Sequence, residues 1–244
     1  MSVARALWRL LRATFHVLHG MAVMTRFSAL DEAGRHERIR WWSAGLVRAM
    51  GLTLQVSGTP RPGATLLVAN HVSWLDIAAI HAAAPHARFV SKSDVLRWPL
   101  LGWLIRNAGT LFIERERKRD AVRVVHAMAE SLQAGQTVAV FPEGTTGLGP
   151  DLLPFHANLL QAAVATGTPV QPVALRFYSD RESYSSEVTF VGETTLLQSI
   201  WRIALASRLG VQVQLLPPVA TQHADRRRLA EHLRELIEER LVLQ

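Results

Sequence analysis

The sequence contains no cysteine in its 244 residues. Acyl-enzyme chemistry through a thiol, disulfide scaffolds and thiolate metal sites are therefore excluded. The sequence also lacks a cleanly apolar window of about 18 residues or more, so it predicts no membrane-spanning helix. Arginines interrupt the apolar N-terminal stretch and no clear small-residue cleavage site follows it, which argues against a signal peptide.

Basic residues exceed acidic residues by 27 to 20, which gives a formal net charge of +7. A basic surface suits nucleic acid, anionic lipid or a phosphorylated substrate. The sequence has no long polybasic tract, zinc-finger spacing, basic zipper or RNA-binding aromatic signature. We therefore do not expect a nucleic-acid partner, and an anionic membrane surface or a phosphorylated ligand is the better interpretation.

The first 50 residues predict two amphipathic helices. In residues 3–24 the polar side chains recur at alternating steps of four and three and form one narrow stripe on a helix, and the rest of its surface is apolar. These polar residues are Arg5, Arg9, Arg12, His16 and His19. We expect a helix lying on the membrane surface, with arginines at the headgroups and Trp8 near the boundary. The alternative is a helix packed on the protein's own core.

Residues 31–50 resemble a second interfacial helix, because arginines stand beside Trp41 and Trp42. Those arginines are Arg35, Arg38, Arg40 and Arg48. Residues 1–50 are accordingly predicted to be membrane-associated helices, and residues 51–244 a separate domain.

From residue 51 onward, short β-rich runs alternate with helical patterns, and no internal repeat appears. This alternation predicts an α/β layered domain with a mixed, mostly parallel sheet flanked by helices. The predicted strands are 52–57, 65–69, 88–91, 109–114, 137–141, 170–177, 187–192 and 211–215. The predicted helices are about 74–84, 94–107, 118–134, 156–166, 195–208 and 223–241.

A polar cluster follows the apolar run 66–69, where a strand ends and a helix begins. His71 would stand at the edge of the sheet, and Asp76 could bond one imidazole nitrogen while the other takes a hydroxyl proton. The spacing alone is weak evidence, since a histidine at a strand end and a solvated aspartate would give the same pattern. A hydrolase using Ser73 with His71 and Asp76 is a poorer alternative, because one helix start cannot easily align all three.

Two further clusters also stand at predicted strand ends. Arg115 follows an apolar run and is suited to a phosphate or carboxylate, although it could be an ordinary surface arginine. Glu143 lies between Pro142 and Gly144 at a chain turn, where exposed amides around Gly144 and Thr145 could bind an anion. The alternative for this segment is an ordinary turn with a solvated glutamate.

Four blocks taken together resemble the glycerolipid acyltransferase family, typified by bacterial 1-acylglycerol-3-phosphate acyltransferases. The family's motifs are Asn-His-x4-Asp, Phe-Ile-x-Arg, Phe-Pro-Glu-Gly-Thr and an apolar stretch with a proline. They are matched in order by Asn70, His71 and Asp76; by Phe112, Ile113 and Arg115; by residues 141–145; and around Pro172. The matches span residues 65–177, about half of the chain.

The resemblance implies transfer of a fatty acyl group from acyl-CoA or acyl-ACP to a lysolipid hydroxyl, on the cytoplasmic face of the cell membrane. It implies His71 as general base and Asp76 as its orienting partner, with no bound cofactor and no metal. Arg115 would hold the acceptor's phosphate. The remaining predicted acceptor-binding residues are Asn70, Glu143, Gly144, Thr145 and Thr146.

One residue departs from the family pattern and bears on the acceptor. Many members that acylate lysophosphatidate have an arginine directly after Phe-Pro-Glu-Gly-Thr, whereas this chain has Thr146. Losing one charge-assisted contact would weaken phosphate binding by about 1.5–3 kcal/mol. The resemblance still favours 1-acylglycerol-3-phosphate, with lyso-ornithine lipid or another lysophospholipid as the alternative. A non-catalytic membrane-binding module is the remaining alternative.

Overall fold

A computed structural model describes residues 3–92, 111–113 and 118–242. Within these ranges seven strands form one sheet in the order β1-β7-β6-β2-β5-β3-β4. They are β1 (Leu52–Ser57), β2 (Thr65–Ala69), β3 (Arg88–Lys92), β4 (Leu111–Ile113), β5 (Thr137–Val140), β6 (Val170–Tyr178) and β7 (Leu209–Leu215). All neighbouring strands run parallel except β6 and β7, which are antiparallel. The predicted mixed, mostly parallel sheet is confirmed.

Helices cover both faces of this sheet. The described helices are α1 (Val3–Met24), α2 (Glu32–Ala49), α3 (Leu75–Ala83), α4 (Lys118–Gln133), α5 (Gln161–Thr166), α6 (Leu196–Leu205) and α7 (Arg226–Val242). Short 3-10 helices occur at Phe27–Ala29 and Ala157–Leu160. Buried side chains of α1, α2, α3 and α6 belong to one hydrophobic cluster, and those of α4, α5 and α7 belong to a second.

Strand β2 lies at the centre of this three-layer arrangement. Successive side chains of a strand point to opposite faces, so Leu67 and Ala69 join one cluster whereas Leu66 and Val68 join the other. All five β2 residues are buried, as expected for a parallel strand covered on both faces. The carboxyl end of β2 is therefore fixed from both sides, and the first predicted polar cluster begins there.

The N-terminal helices share the hydrophobic core with the sheet. Helix α1 buries only small residues, Ala6, Ala13 and Gly20, which recur about once every two turns and allow close packing. Leu46 and Val47 of α2 lie in the same cluster as the strand residues. The predicted boundary at residue 50 thus divides one continuous core. Neither α1 nor any other described helix is long and apolar enough to cross a membrane.

Two sequence-based predictions differ from the structure, and two others fall wholly or partly outside the described residues. The strand predicted at 187–192 is wrong, because Val188 and Thr189 donate to the carbonyls of Ser185 and Ser186 and form turns. Hydroxyl-bearing residues favour such local bonds over a strand ladder. The helix predicted at 156–166 begins as a 3-10 turn. The helix predicted at 94–107 lies outside the described residues, and only Leu111–Ile113 of the strand predicted at 109–114 is described as one.

Candidate active site

Asn70 determines how the chain leaves β2. Its amide nitrogen donates to the carbonyl of Leu175 at 2.9 Å, and its amide oxygen accepts from the Leu175 N–H at 2.8 Å. The side chain is fully buried. Asn70 thereby replaces a main-chain pair between β2 and its neighbour β6, and it holds the next residue, His71, at the end of the sheet.

His71 and Asp76 form the predicted pair. The His71 Nδ1 lies 2.7 Å from the Oδ2 of Asp76, which also accepts from the N–H groups of Val72 at 2.7 Å and Ser73 at 2.9 Å. Because this buried oxygen receives two main-chain N–H groups, it acts as an acceptor toward Nδ1 as well. Nδ1 therefore carries the imidazole proton, and Nε2 is left as the basic nitrogen.

Aromatic stacking fixes the plane of the His71 ring. The ring stacks on Phe141 with centroids 4.0 Å apart and planes inclined by 10°. Phe141 stacks in turn on Phe89, at 5.6 Å between centroids. About 20 % of the His71 side chain is exposed, whereas Asp76 is fully buried. The imidazole is thus held by a carboxylate and an aromatic face, with part of its surface open to an incoming molecule.

Glu143 holds the main chain of His71. One carboxylate oxygen accepts from the His71 N–H at 2.7 Å, and the other accepts from the Leu153 N–H at 2.9 Å. Burial of the side chain raises the pKa of Glu143, although both hydrogen bonds favour the charged form. The Gly147 N–H donates to the His71 carbonyl at 2.7 Å, so the segment after β5 fixes both main-chain polar groups of His71.

The residues of the turn after Glu143 have different surroundings. Gly144 has a φ of +73°, a conformation that favours glycine, and an added Cβ would meet the His156 ring at 3.1 Å. Thr145 is exposed. The Thr146 hydroxyl donates to the carbonyl of Phe190. Of the predicted acceptor-binding residues in this turn, Thr145 faces solvent and Thr146 is tied inward.

Two predicted substrate contacts do not fit this geometry. Asn70 uses both polar atoms of its side chain on Leu175, and Glu143 uses both oxygens on main-chain N–H groups. Both side chains are buried. They position His71 instead of facing a substrate, and Arg115 lies outside the described residues.

Ser73 has the geometry of a helix-start residue. Its side chain is fully buried, and its hydroxyl accepts from the Leu75 N–H at 3.4 Å. A nucleophile must reach the substrate carbonyl, which a buried hydroxyl at the start of α3 does not do. This geometry argues against the serine hydrolase alternative. No group of three or more His, Asp or Glu residues suited to a metal occurs in the described part of the chain.

Sequence reasoning missed the aromatic platform of Phe141 and the main-chain contacts from Gly147 and Leu153. No local sequence pattern predicts these contacts, because they depend on β5 lying beside β2 in the sheet. Together these groups hold one imidazole with its proton on Nδ1 and its basic Nε2 available. Such an arrangement can remove a proton from a hydroxyl group.

Comparison with known proteins identifies the family. The family model described as Acyltransferase matches residues 54–176, which contain the His71–Asp76 pair and Glu143. The chain belongs to the Acyltransferase family.

Two similar relatives carry different names. The lyso-ornithine lipid O-acyltransferase of Pseudomonas aeruginosa is 39 % identical over 218 residues, covering 89 % of this chain and 83 % of the relative. The 1-acyl-sn-glycerol-3-phosphate acyltransferase of Neisseria meningitidis is 38 % identical over 197 residues, covering 79 % and 76 %. Over most of its length this acyltransferase is thus similar to relatives named for two different lysolipids.

A solved structure supports the fold of this acyltransferase. The crystal structure of the 1-acyl-sn-glycerophosphate acyltransferase from Thermotoga maritima superimposes with a TM-score of 0.74. The match covers 99 % of this chain and 95 % of the other at 20 % identity. The shared architecture includes the N-terminal helices, since nearly the whole chain is matched.

Proposed function

We propose that the protein transfers a fatty acyl group from acyl-CoA or acyl-ACP to the free hydroxyl of a lysolipid. The observation that carries this proposal is the His71 ring, whose Nδ1 is bonded to buried Asp76 and whose Nε2 is the basic nitrogen. Family membership supplies the reaction class. The names of the similar relatives supply the acceptor class.

In the proposed reaction, Nε2 of His71 removes the proton of the acceptor hydroxyl as its oxygen attacks the thioester carbonyl. The new ester bond forms and the carbon–sulfur bond breaks, releasing the CoA or ACP thiolate. The imidazolium then returns its proton to that sulfur. Asp76 favours the imidazolium by its negative charge and holds the ring in the required tautomer. The chain supplies these steps without an acyl-enzyme or a bound cofactor.

We place lyso-ornithine lipid first among the acceptors, ahead of 1-acylglycerol-3-phosphate. Thr146 stands where a phosphate-binding arginine is expected, and its hydroxyl is already donated to the carbonyl of Phe190. The Pseudomonas relative named for this acceptor covers 89 % of the chain. The phosphate acceptor remains the second candidate because the motif arginine Arg115 is present and the Neisseria relative bears that name.

We further propose that the enzyme works at an anionic membrane surface, on the cytoplasmic face, with α1 lying against the lipid. Six large apolar side chains of α1 are more than half exposed: Val3, Leu7, Trp8, Leu11, Phe15 and Leu18. An amphipathic helix that presents such a face binds at the boundary of headgroups and acyl chains. Leu11→Glu combined with Phe15→Glu should abolish vesicle binding without disturbing the buried small residues of α1. Unchanged sedimentation with vesicles would contradict this placement.

The decisive experiment follows a labelled acyl group. Purified enzyme is given radiolabelled acyl-CoA or acyl-ACP with a panel of acceptors that includes lyso-ornithine lipid, lysophosphatidate and other lysophospholipids. We expect one acylated lysolipid as the main product. Free fatty acid as the main product would overturn the transferase proposal.

The His71→Ala variant tests the proposed base. Removing a general base should lower the rate by about 10²- to 10⁴-fold. His126→Ala is the matched control, because His126 is exposed on α4 and its side chain pairs with the exposed Glu130. The control should keep the full rate, and circular dichroism should show both variants folded. Normal turnover by His71→Ala would refute the assignment.

A further inference from the structure

Helix α1 has its apolar side chains on the outside and part of its polar face against the protein. The apolar side chains from Leu7 to Leu18 that are more than half exposed lie on its outer surface, while part of its polar stripe faces the protein. The Arg9 guanidinium donates to the carbonyls of Ala204 and Ala206, and so caps the end of α6. His16 Nε2 bonds the carbonyl of Trp42 at 2.8 Å. These two polar residues are therefore engaged by the protein and not by headgroups.

The guanidinium groups of Arg12 and Arg48 differ from that of Arg9. Both residues are exposed, and neither side chain forms a hydrogen bond or ion pair with another described residue. Arg12 is on α1 and Arg48 is in the last turn of α2, yet both line the same surface groove. Two unpaired guanidinium groups beside one groove favour an anion with several oxygens, such as a phosphate.

The groove runs between α1 and α2 and has a volume of about 570 Å³. Its floor and walls are aromatic and aliphatic, and the lining includes Trp8, Leu11, Phe15 and Trp41. That volume falls within the range of about 300–1,000 Å³ that is usual for sites that enclose a small molecule. The groove therefore combines an apolar lining with two cationic side chains.

We propose that this groove binds one anionic phospholipid of the membrane, with an acyl chain along Trp8, Phe15 and Trp41 and the phosphate between Arg12 and Arg48. The inference rests on the proposed membrane placement of α1, and it adds a discrete lipid site to a general surface affinity. Charge complementarity selects this occupant over a neutral lipid. The site is separate from His71, since its lining residues in the described part of the chain all belong to α1 and α2.

The test compares two double variants that lose the same charge. Arg12→Gln with Arg48→Gln alters the groove. Arg38→Gln with Arg40→Gln is the control, because both arginines are exposed on α2 and neither lines the groove. Each Arg near an anionic surface adds to the nonspecific attraction, so both variants should lose similar affinity for vesicles that contain phosphatidylglycerol.

Binding of a short-chain phosphatidylglycerol as a soluble monomer separates the two variants. No bilayer is present, so nonspecific surface attraction does not operate. We expect the groove variant to bind this monomer about tenfold or more weakly, as expected for lost charge-assisted hydrogen bonds, and the control variant to bind it like the parent. The corresponding short-chain phosphatidylcholine should bind poorly to all three proteins. Bromine atoms on the acyl chain of the phosphatidylglycerol should quench tryptophan fluorescence, and Trp8→Phe with Trp41→Phe should reduce that quenching.

Equal monomer binding by the groove variant and the parent would overturn the proposal, as would equal losses of monomer affinity in the two double variants. A self-association constant that drops only in the groove variant would also overturn it, since a second copy would then occupy the groove. Acyl transfer measured in detergent micelles keeps this test separate from the catalytic proposal. We expect both double variants to retain acyl transfer in micelles. Absence of acyl transfer in the parent protein would count against the catalytic proposal alone.

Discussion

Glu143→Gln distinguishes a residue that positions His71 from one that contacts the acceptor. Glu143 is 4 % exposed, and each oxygen of its carboxylate accepts one main-chain N–H. Glutamine has nearly the same shape but only one oxygen. Whichever way its amide is turned, the nitrogen faces the N–H of either His71 or Leu153, so one buried donor loses its acceptor.

The expected cost follows from these two bonds. Hydrogen bonds to a charged acceptor contribute about 1.5–3 kcal/mol, and an unsatisfied buried donor costs about 1–3 kcal/mol. The neutral amide offsets part of this loss, because burial disfavours the charged form of Glu143 and raises its pKa. We therefore expect the free energy of unfolding to fall by about 1–3 kcal/mol.

The kinetic consequence should appear in kcat. Displacing a catalytic group by about 1 Å can cost about 100-fold in rate, and the lost bond holds the main chain of the proposed base. The acceptor KM should change little, since the Glu143 side chain is buried and its oxygens are occupied. Initial rates with varied acceptor at saturating acyl-CoA measure both constants. Glu193→Gln, at an exposed position, is the matched control and should leave both unchanged.

The opposite kinetic pattern would refute this reasoning. A residue that contacts the acceptor in ground and transition states alike raises KM with little change in kcat. A raised acceptor KM and a preserved kcat in Glu143→Gln would therefore return Glu143 to the acceptor site. Denaturant unfolding of the same samples shows whether the expected stability loss accompanies the kinetic change.

Three other substitutions test separate parts of the structure. Asn70→Asp turns a donor into an acceptor that faces the Leu175 carbonyl and should lower the free energy of unfolding by about 1–3 kcal/mol; an unchanged denaturation midpoint would contradict the role of this pair. Burial lowers the pKa of His81 to about 4, so between pH 6.5 and 4 the unfolded chain binds a proton at this residue more readily than the folded protein does. The free energy of unfolding should therefore fall by up to about 3 kcal/mol as the pH falls through that window. His81→Gln should lose less over that window, and equal losses would refute the assignment. Thr146→Arg should raise the rate with lysophosphatidate relative to lyso-ornithine lipid, and no gain with phosphate-bearing acceptors would count against our interpretation of that position.

Elements whose signals are local could be predicted from the sequence. The bounds predicted for β1 and β2 agree with the structure, because each apolar run there is enclosed by turn residues. The segment after Glu187 resembled a strand equally well. Its Phe190 N–H bonds instead to the carbonyl of Val72, more than a hundred positions earlier in the chain. Local periodicity contains no information about that contact.

In the predicted active site, too, local contacts could be predicted and long-range contacts could not. The pairing of His71 with Asp76 could be predicted from their shared position, since both lie within one strand end and helix start. The roles of Asn70 and Glu143 could not be inferred from spacing. Asn70 meets Leu175 because β6 is one neighbour of β2, and Glu143 meets His71 because β5 is the other. Sheet order is a property of the whole fold, so the partner of a polar side chain at a strand end is decided globally.

Helix α6 links α1 to the candidate active site. It receives the Arg9 guanidinium on the Ala204 carbonyl and the Trp74 indole N–H on the Ser199 hydroxyl at 3.1 Å. Trp74 lies between His71 and Asp76 in the chain, so one helix contacts both α1 and the loop that carries the candidate pair. Helix α1 is therefore packed as a layer of the domain. If α1 meets the lipid as we propose, its packing also sets the orientation of His71 relative to the membrane.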